Sequence, residues 1–240
     1  MWLALDTATE RASVALGVPG DGAAPLEETI GGARRHAAAL LPTIQALLRR
    51  AGASLDDLRG IVLSDGPGSF TGLRVGASVA KALVHARALP LWTAPSLLVR
   101  AAGVARDNAL VVSVANALRG EVYAAAYRFL PGAIQTELIP SVRRPEDLVN
   151  SGIRPDTVVG EAAAEVLAIL ERWAGRAVIV PPEGSPRASR LLQLVGRPGG
   201  AREVEAVREW EPVYGRPAEA QARWESAHGR PLPDSVGSPG

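Results

Sequence analysis

The sequence predicts an α/β protein in which a mixed sheet is flanked by helices, followed by a second, weaker statement of the same theme. Three observations carry that expectation. Three short apolar runs joined by tight polar turns open the chain, as in an antiparallel meander. Helix-periodic and strand-like stretches then alternate as far as about residue 106. A strand–turn–strand pattern returns between residues 110 and 139, before the alternation resumes.

The elements follow in order. Trp2 to Leu5 and Ala12 to Val18 read as strands around the polar turn Asp6–Arg11. Leu26 to Ile30 makes a third strand after the turn residues Pro19-Gly20-Asp21-Gly22. Leu40, Leu41, Ile44, Leu47 and Leu48 recur at helical spacing, predicting a helix over about 34–50, with Gly52 as its stop. Pro42 lies inside that pattern and predicts a kink or a late start, because it removes a backbone donor. Gly60 to Leu63 is a strand, 70–88 a helix, Leu89 to Trp92 a strand and 95–106 a helix. Beyond a break near 105–108 come strands at 110–114, 121–128 and 134–139. A strand at 157–160, a helix at 161–173 and a strand at 177–180 complete the pattern. From Gly229 the chain is rich in Gly, Pro and Ser, the composition of a disordered tail.

Composition narrows the chemistry. With 240 residues and 47% apolar content, one or two packed domains are expected. Lys+Arg number 26 against Asp+Glu 25, so a strongly basic nucleic-acid surface is not the main theme. Cysteine is absent, which excludes disulfides, cysteine nucleophiles and Cys-ligated zinc. Three scattered histidines, His36, His85 and His228, argue against a His-rich metal site. No run approaches the roughly 18 apolar residues of a membrane span. The start lacks the basic segment of a signal peptide, so a cytoplasmic location is expected.

The strongest local motif is Asp65-Gly66-Pro67-Gly68-Ser69-Phe70-Thr71-Gly72-Leu73-Arg74-Val75-Gly76. Gly66 and Gly68 permit unusual backbone angles, Ser69 or Thr71 can cap the following helix, and a helix start can hold an anion. A tight strand–helix corner explains the same residues, and no lysine follows the last glycine as a phosphate loop requires. Gly72, Gly76 and Ala80 recur every four residues, a ridge suited to close packing inside the fold or against another subunit. Asp6 and Thr7 end the first strand, where a carboxylate can hold a metal-bound phosphate or simply close its own turn.

Taken with their order, these residues resemble the TsaB (YeaZ) family. The match rests on Leu3-Ala4-Leu5-Asp6-Thr7-Ala8-Thr9, Ser13-Val14-Ala15-Leu16, Arg35-His36, Leu41-Pro42 and the glycine motif. Gly120-Glu121-Val122-Tyr123 and Glu211-Pro212-Val213-Tyr214 extend it to about residue 216. The resemblance implies the actin/sugar-kinase/Hsp70-like fold with two RNase H-like βββαβα halves, at 1–106 and 107–228, and a tail at 229–240. It implies a non-catalytic subunit that dimerises with the catalytic paralogue TsaD and works with the small ATPase TsaE. Together they place threonylcarbamoyl on adenosine 37 of tRNA, with tRNA reached through the complex and a homodimer formed when the chain is alone. It further implies a helical interface built from His36, Leu40, Leu41, Ile44, Leu48, Phe70, Gly72, Leu73, Gly76 and Ala80. Asp6, Thr7, Gly66, Gly68, Ser69 and Thr71 become vestiges of a phosphate loop, with no resident cofactor and only weak nucleotide binding at the complex interface. The alternative is an ATP-dependent small-molecule kinase of the same superfamily.

Four departures bear on this. The paralogue's His-x-x-x-His window here reads Thr93-Ala94-Pro95-Ser96-Leu97-Leu98-Val99-Arg100. Ala8 stands where nucleotide-binding relatives place glycine. Asn116-Ala117-Leu118-Arg119 replaces an Asp-Ala-Arg motif, and Tyr214-Gly215-Arg216 replaces Tyr-Leu-Arg.

Overall fold

The computed structural model describes residues 1–32, 36–117 and 119–215, with the side chain of His36 excepted. The tail expected at 229–240 therefore lies outside the described residues, as do Arg34, Arg35, Leu118 and Arg216.

The opening meander is β1 (Trp2–Asp6), β2 (Arg11–Gly17) and β3 (Leu26–Gly31). Then come α1 (His36–Arg50), β4 (Gly60–Ser64), α2 (Phe70–Arg87), β5 (Leu91–Ala94) and α3 (Ser96–Val104). The first sheet has the order β3-β2-β1-β4-β5, with β1, β4 and β5 parallel and the meander antiparallel. The second half repeats it. A meander of β6 (Leu110–Asn116), β7 (Val122–Leu130) and β8 (Ala133–Arg143) is followed by α4 (Pro145–Val149), β9 (Thr157–Gly160) and α5 (Ala164–Ala174). Its sheet order is β8-β7-β6-β9, with β6 and β9 parallel. A parallel bridge from Val159 to Ile179 stands where β5 stands in the first sheet, so the strand expected at 177–180 is reduced to one contact. Two mixed sheets, each a βββαβα unit flanked by helices, form the actin/sugar-kinase/Hsp70-like α/β fold that the sequence implied.

Pro42 does not break α1, which runs unbroken from His36 to Arg50. Pro42 and Ala38, whose carbonyl loses its helical donor, are both exposed, so water satisfies the orphan group.

The far end of the chain departs from a simple two-part division. After α6 (Ala188–Leu194), residues Arg202–Glu203 form β10, which pairs with β5 and becomes the outer strand of the first sheet. Helix α6 packs on β1 and β2 as well as on α3. Residues 188–215 thus return to the first sheet, while Arg197 and Pro198 also bond the β7–β8 turn of the second. Pairing between segments about 110 residues apart in sequence leaves no local signal.

Three apolar clusters hold the molecule. One joins α1 and α2 to the first sheet, through Leu3, Leu5, Leu40, Ile44, Leu47 and Leu63. One belongs to the second sheet with α4 and α5, through Val112, Val114, Leu148, Val158 and Leu170. The third is shared: α3 and α6 lie between the two sheets and contribute Leu97, Leu98, Leu191 and Leu192 to a core with Val62, Val111 and Tyr127. No helix among the described residues is long and apolar enough to cross a membrane.

Candidate functional site

The two sheets leave a cleft of about 450 Å³ between their strand ends. The β1–β2 turn (Ala8, Thr9, Glu10), the glycine corner (Pro67, Gly68, Ser69), α3 (Ser96, Leu97, Arg100) and the ends of β6, β7 and β9 line it. Its elements come together because parallel strands β1, β4 and β9 all end on this side, the usual location of sites in α/β folds.

The glycine corner is tied inward. Ser69 N–H donates to the Ala8 carbonyl at 2.7 Å, and Gly72 N–H donates to Ser69 Oγ at 3.2 Å, capping α2. Gly66 N–H donates to Ser96 Oγ at 3.1 Å, and Ser96 N–H returns to the Gly66 carbonyl at 2.8 Å. A Cβ on Gly68 would fall 2.3 Å from the Ala8 carbonyl oxygen, so only glycine lets the corner sit this close to the first turn. Gly66, at φ +111°, faces the Val213 carbonyl in the same way. Three of the corner's donors, the N–H groups of Gly66, Ser69 and Gly72, are therefore engaged within the protein. Thr71 is exposed on the next turn.

Asp6 and Thr7 are fully covered at the end of β1. Asp6 Oδ1 accepts a 3.3 Å hydrogen bond from Ala8 N–H. Burial pushes its carboxyl up to about 6, against the opposing pull of the Ser64 hydroxyl, then the Ala8 N–H and the Arg100 guanidinium. Asp65 is equally covered. Its carboxylate accepts from Arg202 Nη2 at 3.2 Å, and burial raises its pKa in spite of that cation.

Arg100 occupies the heart of the cleft. It is 3% exposed, donates from Nη1 to the Val114 carbonyl at 2.6 Å and from Nη2 to Glu161 Oε1 at 2.8 Å. Helix α3 is thereby clasped to the second sheet. Ser96 and Arg100 are four residues apart on one helix face, and both line the cleft. A guanidinium has no lone pair and stays protonated, so this face opposes a cation instead of ligating one. Among the described residues, no group of three or more His, Asp or Glu is placed to hold a metal.

The helical residues expected at a partner interface divide sharply. Leu40, Ile44, Leu48, Leu73 and Ala80 are buried in the chain's own core. The Gly72/Gly76 ridge faces inward: a Cβ on Gly72 would lie 2.1 Å from the Thr7 carbonyl, and one on Gly76 2.3 Å from Thr7 Oγ1. The physical reason is that β1 and its turn need close helix approach, which glycine alone permits. All seven pack within this chain. Leu41, 49% exposed, and half-buried Phe70 remain available at the surface. His36 opens α1, but its side chain lies outside the described residues.

Several important residues were not singled out from the sequence as site residues: Arg100, Glu161, Arg202 and the segment 204–215. That segment crosses α2 as a strap, with Lys81 Nζ donating to Glu211 at 2.9 Å, Tyr214 stacked on Phe70 at 4.8 Å and Val213 N–H donating to the Asp65 carbonyl. The Glu211-Pro212-Val213-Tyr214 motif was its only sequence trace.

Residues 27–173 match the family model described as TsaD: tRNA N6-adenosine threonylcarbamoyltransferase, which is more than half of the chain. The tRNA threonylcarbamoyladenosine biosynthesis protein TsaB of Escherichia coli (strain K12) is 38% identical over 147 residues, covering 60% of this chain and 62% of that one. The chain belongs to the TsaB/YeaZ family. The Bacillus subtilis (strain 168) TsaB is 31% identical over 45% of this chain and 46% of its own length. The matches thus span about half to three-fifths of these curated relatives. Among solved structures, YeaZ from Pseudomonas aeruginosa aligns with a TM-score of 0.65 and 30% identity, over 80% of this chain and 89% of that one. A protein described as similar to peptidase YeaZ, also from Pseudomonas aeruginosa, gives 0.71 and 28% identity over 90% and 99%.

Proposed function

We propose that this chain is the non-catalytic partner in tRNA threonylcarbamoyladenosine formation, pairing with the catalytic paralogue TsaD in support of its transfer to adenosine 37 of tRNA. TsaE joins the assembly, tRNA is reached through the complex, and the chain can pair with itself when TsaD is absent. The cytoplasm is the compartment of that work. The observation that carries the non-catalytic role is Arg100, which puts a buried, permanently charged guanidinium on the α3 face where the paralogue's His-x-x-x-His window would lie. Its ion pair with Glu161 fills the cleft with an internal contact. The inward-tied glycine corner points the same way, since its Gly66, Ser69 and Gly72 N–H groups are bonded inside the fold.

The partner surface in this reading is the outward side of α1 and α2, with Leu41 and Phe70 as apolar contacts. The buried residues Leu40, Ile44, Leu48, Leu73, Gly72, Gly76 and Ala80 act as the platform that fixes those helices on the sheet. The test is size-exclusion chromatography of the purified chain with and without TsaD. A co-eluting heterodimer, weakened by Leu41→Glu, supports the reading; separate elution of folded proteins refutes it. Stoichiometric, tight Mg-ATP binding by this chain alone would favour the small-molecule kinase reading instead.

A further inference from the structure

Arg74 is an exposed residue of α2, one turn after Phe70. Its guanidinium carbon lies 4.7 Å above the centre of the Phe70 ring and 6.0 Å from that of Tyr214. The two rings are themselves in contact at 4.8 Å, tilted by 47°. Tyr214 is held by its hydroxyl, which donates to Glu211 Oε2 at 2.9 Å, and Glu211 in turn accepts from Lys81. The guanidinium is thus seated on a ring pair braced by the strap. Near the strap, Lys81 pairs with Glu211 and Arg202 with Asp65. Among the described residues Arg74 has no salt bridge.

We propose that Arg74 is a preorganised docking anchor for a carboxylate on the protein that covers the outward face of α2. This rests on the partner reading above and names the chemistry of its contact. A planar guanidinium already immobilised on aromatic rings has less freedom left to lose on pairing, and its remaining donors match a carboxylate in bidentate fashion. Arginine and aromatic anchors are also the residues that dominate protein–protein binding energy.

The surroundings favour protein over nucleic acid. The outward stripe of α2 runs through Thr71, Arg74, Ser78, Ala82 and His85, all exposed, so between Arg74 and His85 a partner helix can approach closely. Val213, 52% exposed on the adjoining strap, adds apolar surface. Binding of RNA by charge needs several cations along one track, and between Thr71 and Ala82 the exposed stripe carries only Arg74.

The test is the affinity of the intact chain for purified TsaD, measured by calorimetry for wild type, Arg74→Ala, Arg74→Lys and Tyr214→Leu. Arg74→Ala should weaken binding by about 30-fold or more, the level of an interface hot spot. Arg74→Lys should recover only part of that loss, since it keeps the charge without the planar fork. Tyr214→Leu should weaken binding with Arg74 intact, because the seat is lost. Thermal unfolding of each variant, unchanged for the exposed Arg74 substitutions, separates lost contact from lost fold. If wild type binds TsaD and Arg74→Ala binds within twofold, the anchor is refuted while the partner reading stands. If Arg74→Ala spares TsaD but lowers affinity for tRNA alone, the anchor belongs to RNA and the proposal falls. If folded wild type does not bind TsaD, the partner reading fails and takes this one with it.

Discussion

Substituting Gly72 or Gly76 by alanine separates two uses of the same ridge. A Cβ at Gly72 would lie 2.1 Å from a backbone carbonyl of Thr7, and one at Gly76 2.3 Å from that residue's hydroxyl. Heavy-atom contacts of this kind need about 3 Å or more, so α2 must withdraw from β1 by roughly 1 Å, or Thr7 must turn away. Overpacking of this sort costs about 1–3 kcal/mol. Gly→Ala returns up to about 1 kcal/mol of helix propensity, less at Gly72 in the first turn. The net expectation is about 1–2 kcal/mol lost for Gly72→Ala, which meets backbone. Gly76→Ala should lose less, because it meets a side chain that can rotate. For a protein of this size that lowers Tm by roughly 2–8 °C. The double variant should lose less than the sum, since both positions press on Thr7. The assay is thermal unfolding by circular dichroism beside Ser78→Leu, an exposed residue on the opposite stripe, which should stay within about 0.5 kcal/mol of wild type. If Gly72→Ala keeps the wild-type Tm but loses TsaD binding, the ridge faces the partner and the internal assignment is wrong.

Two further predictions concern the cleft. Arg100→Met removes the donors to Val114 and Glu161 and leaves a buried carbonyl unpaired; it should cost about 2–4 kcal/mol by denaturant unfolding. Glu161→Gln, at a site 47% exposed, should cost under about 1 kcal/mol, and an equal effect of the two would contradict the clasp. For Asp6, the folded protein prefers the neutral acid up to about pH 6, whereas the unfolded chain ionises near its ordinary 3.8. Its stabilising contribution is therefore full below pH 4 and is lost as pH rises to 6. Asp6→Asn should gain on wild type across that window, by up to about 3 kcal/mol. A stability difference independent of pH between 4 and 7 would show that Asp6 is not a desolvated acid.

Much of the fold was legible because local pattern and burial agree. The meander, the helix at α1 and the strand–corner–helix around Gly66 each carry a period or a turn residue that only one conformation satisfies. The expected helix at 161–173 begins instead at Ala164, because Glu161 turns back to meet Arg100. That pairing spans 61 residues and has no periodic signature. Strand β10 is two residues long, too short to announce itself, and its place beside β5 depends on the whole intervening lobe. At the candidate site the residue types were visible but their direction was not. Periodicity shows that Leu40, Ile44, Gly72 and Gly76 share helix faces, while only the packing shows that those faces turn toward β1 and the sheet. Arg74 was quoted within a motif, yet its significance comes from Tyr214, 140 residues away, closing over Phe70.

The central claim, that this chain supports the reaction without performing it, is tested most directly by reconstitution. Unmodified tRNA is incubated with the threonylcarbamoyl-adenylate synthase, TsaD and TsaE, with or without this chain, and modified adenosine is quantified by mass spectrometry of nucleosides. The account predicts modification only when both TsaD and this chain are present, and none when this chain replaces TsaD. Full modification without this chain, or modification by this chain in place of TsaD, would contradict it.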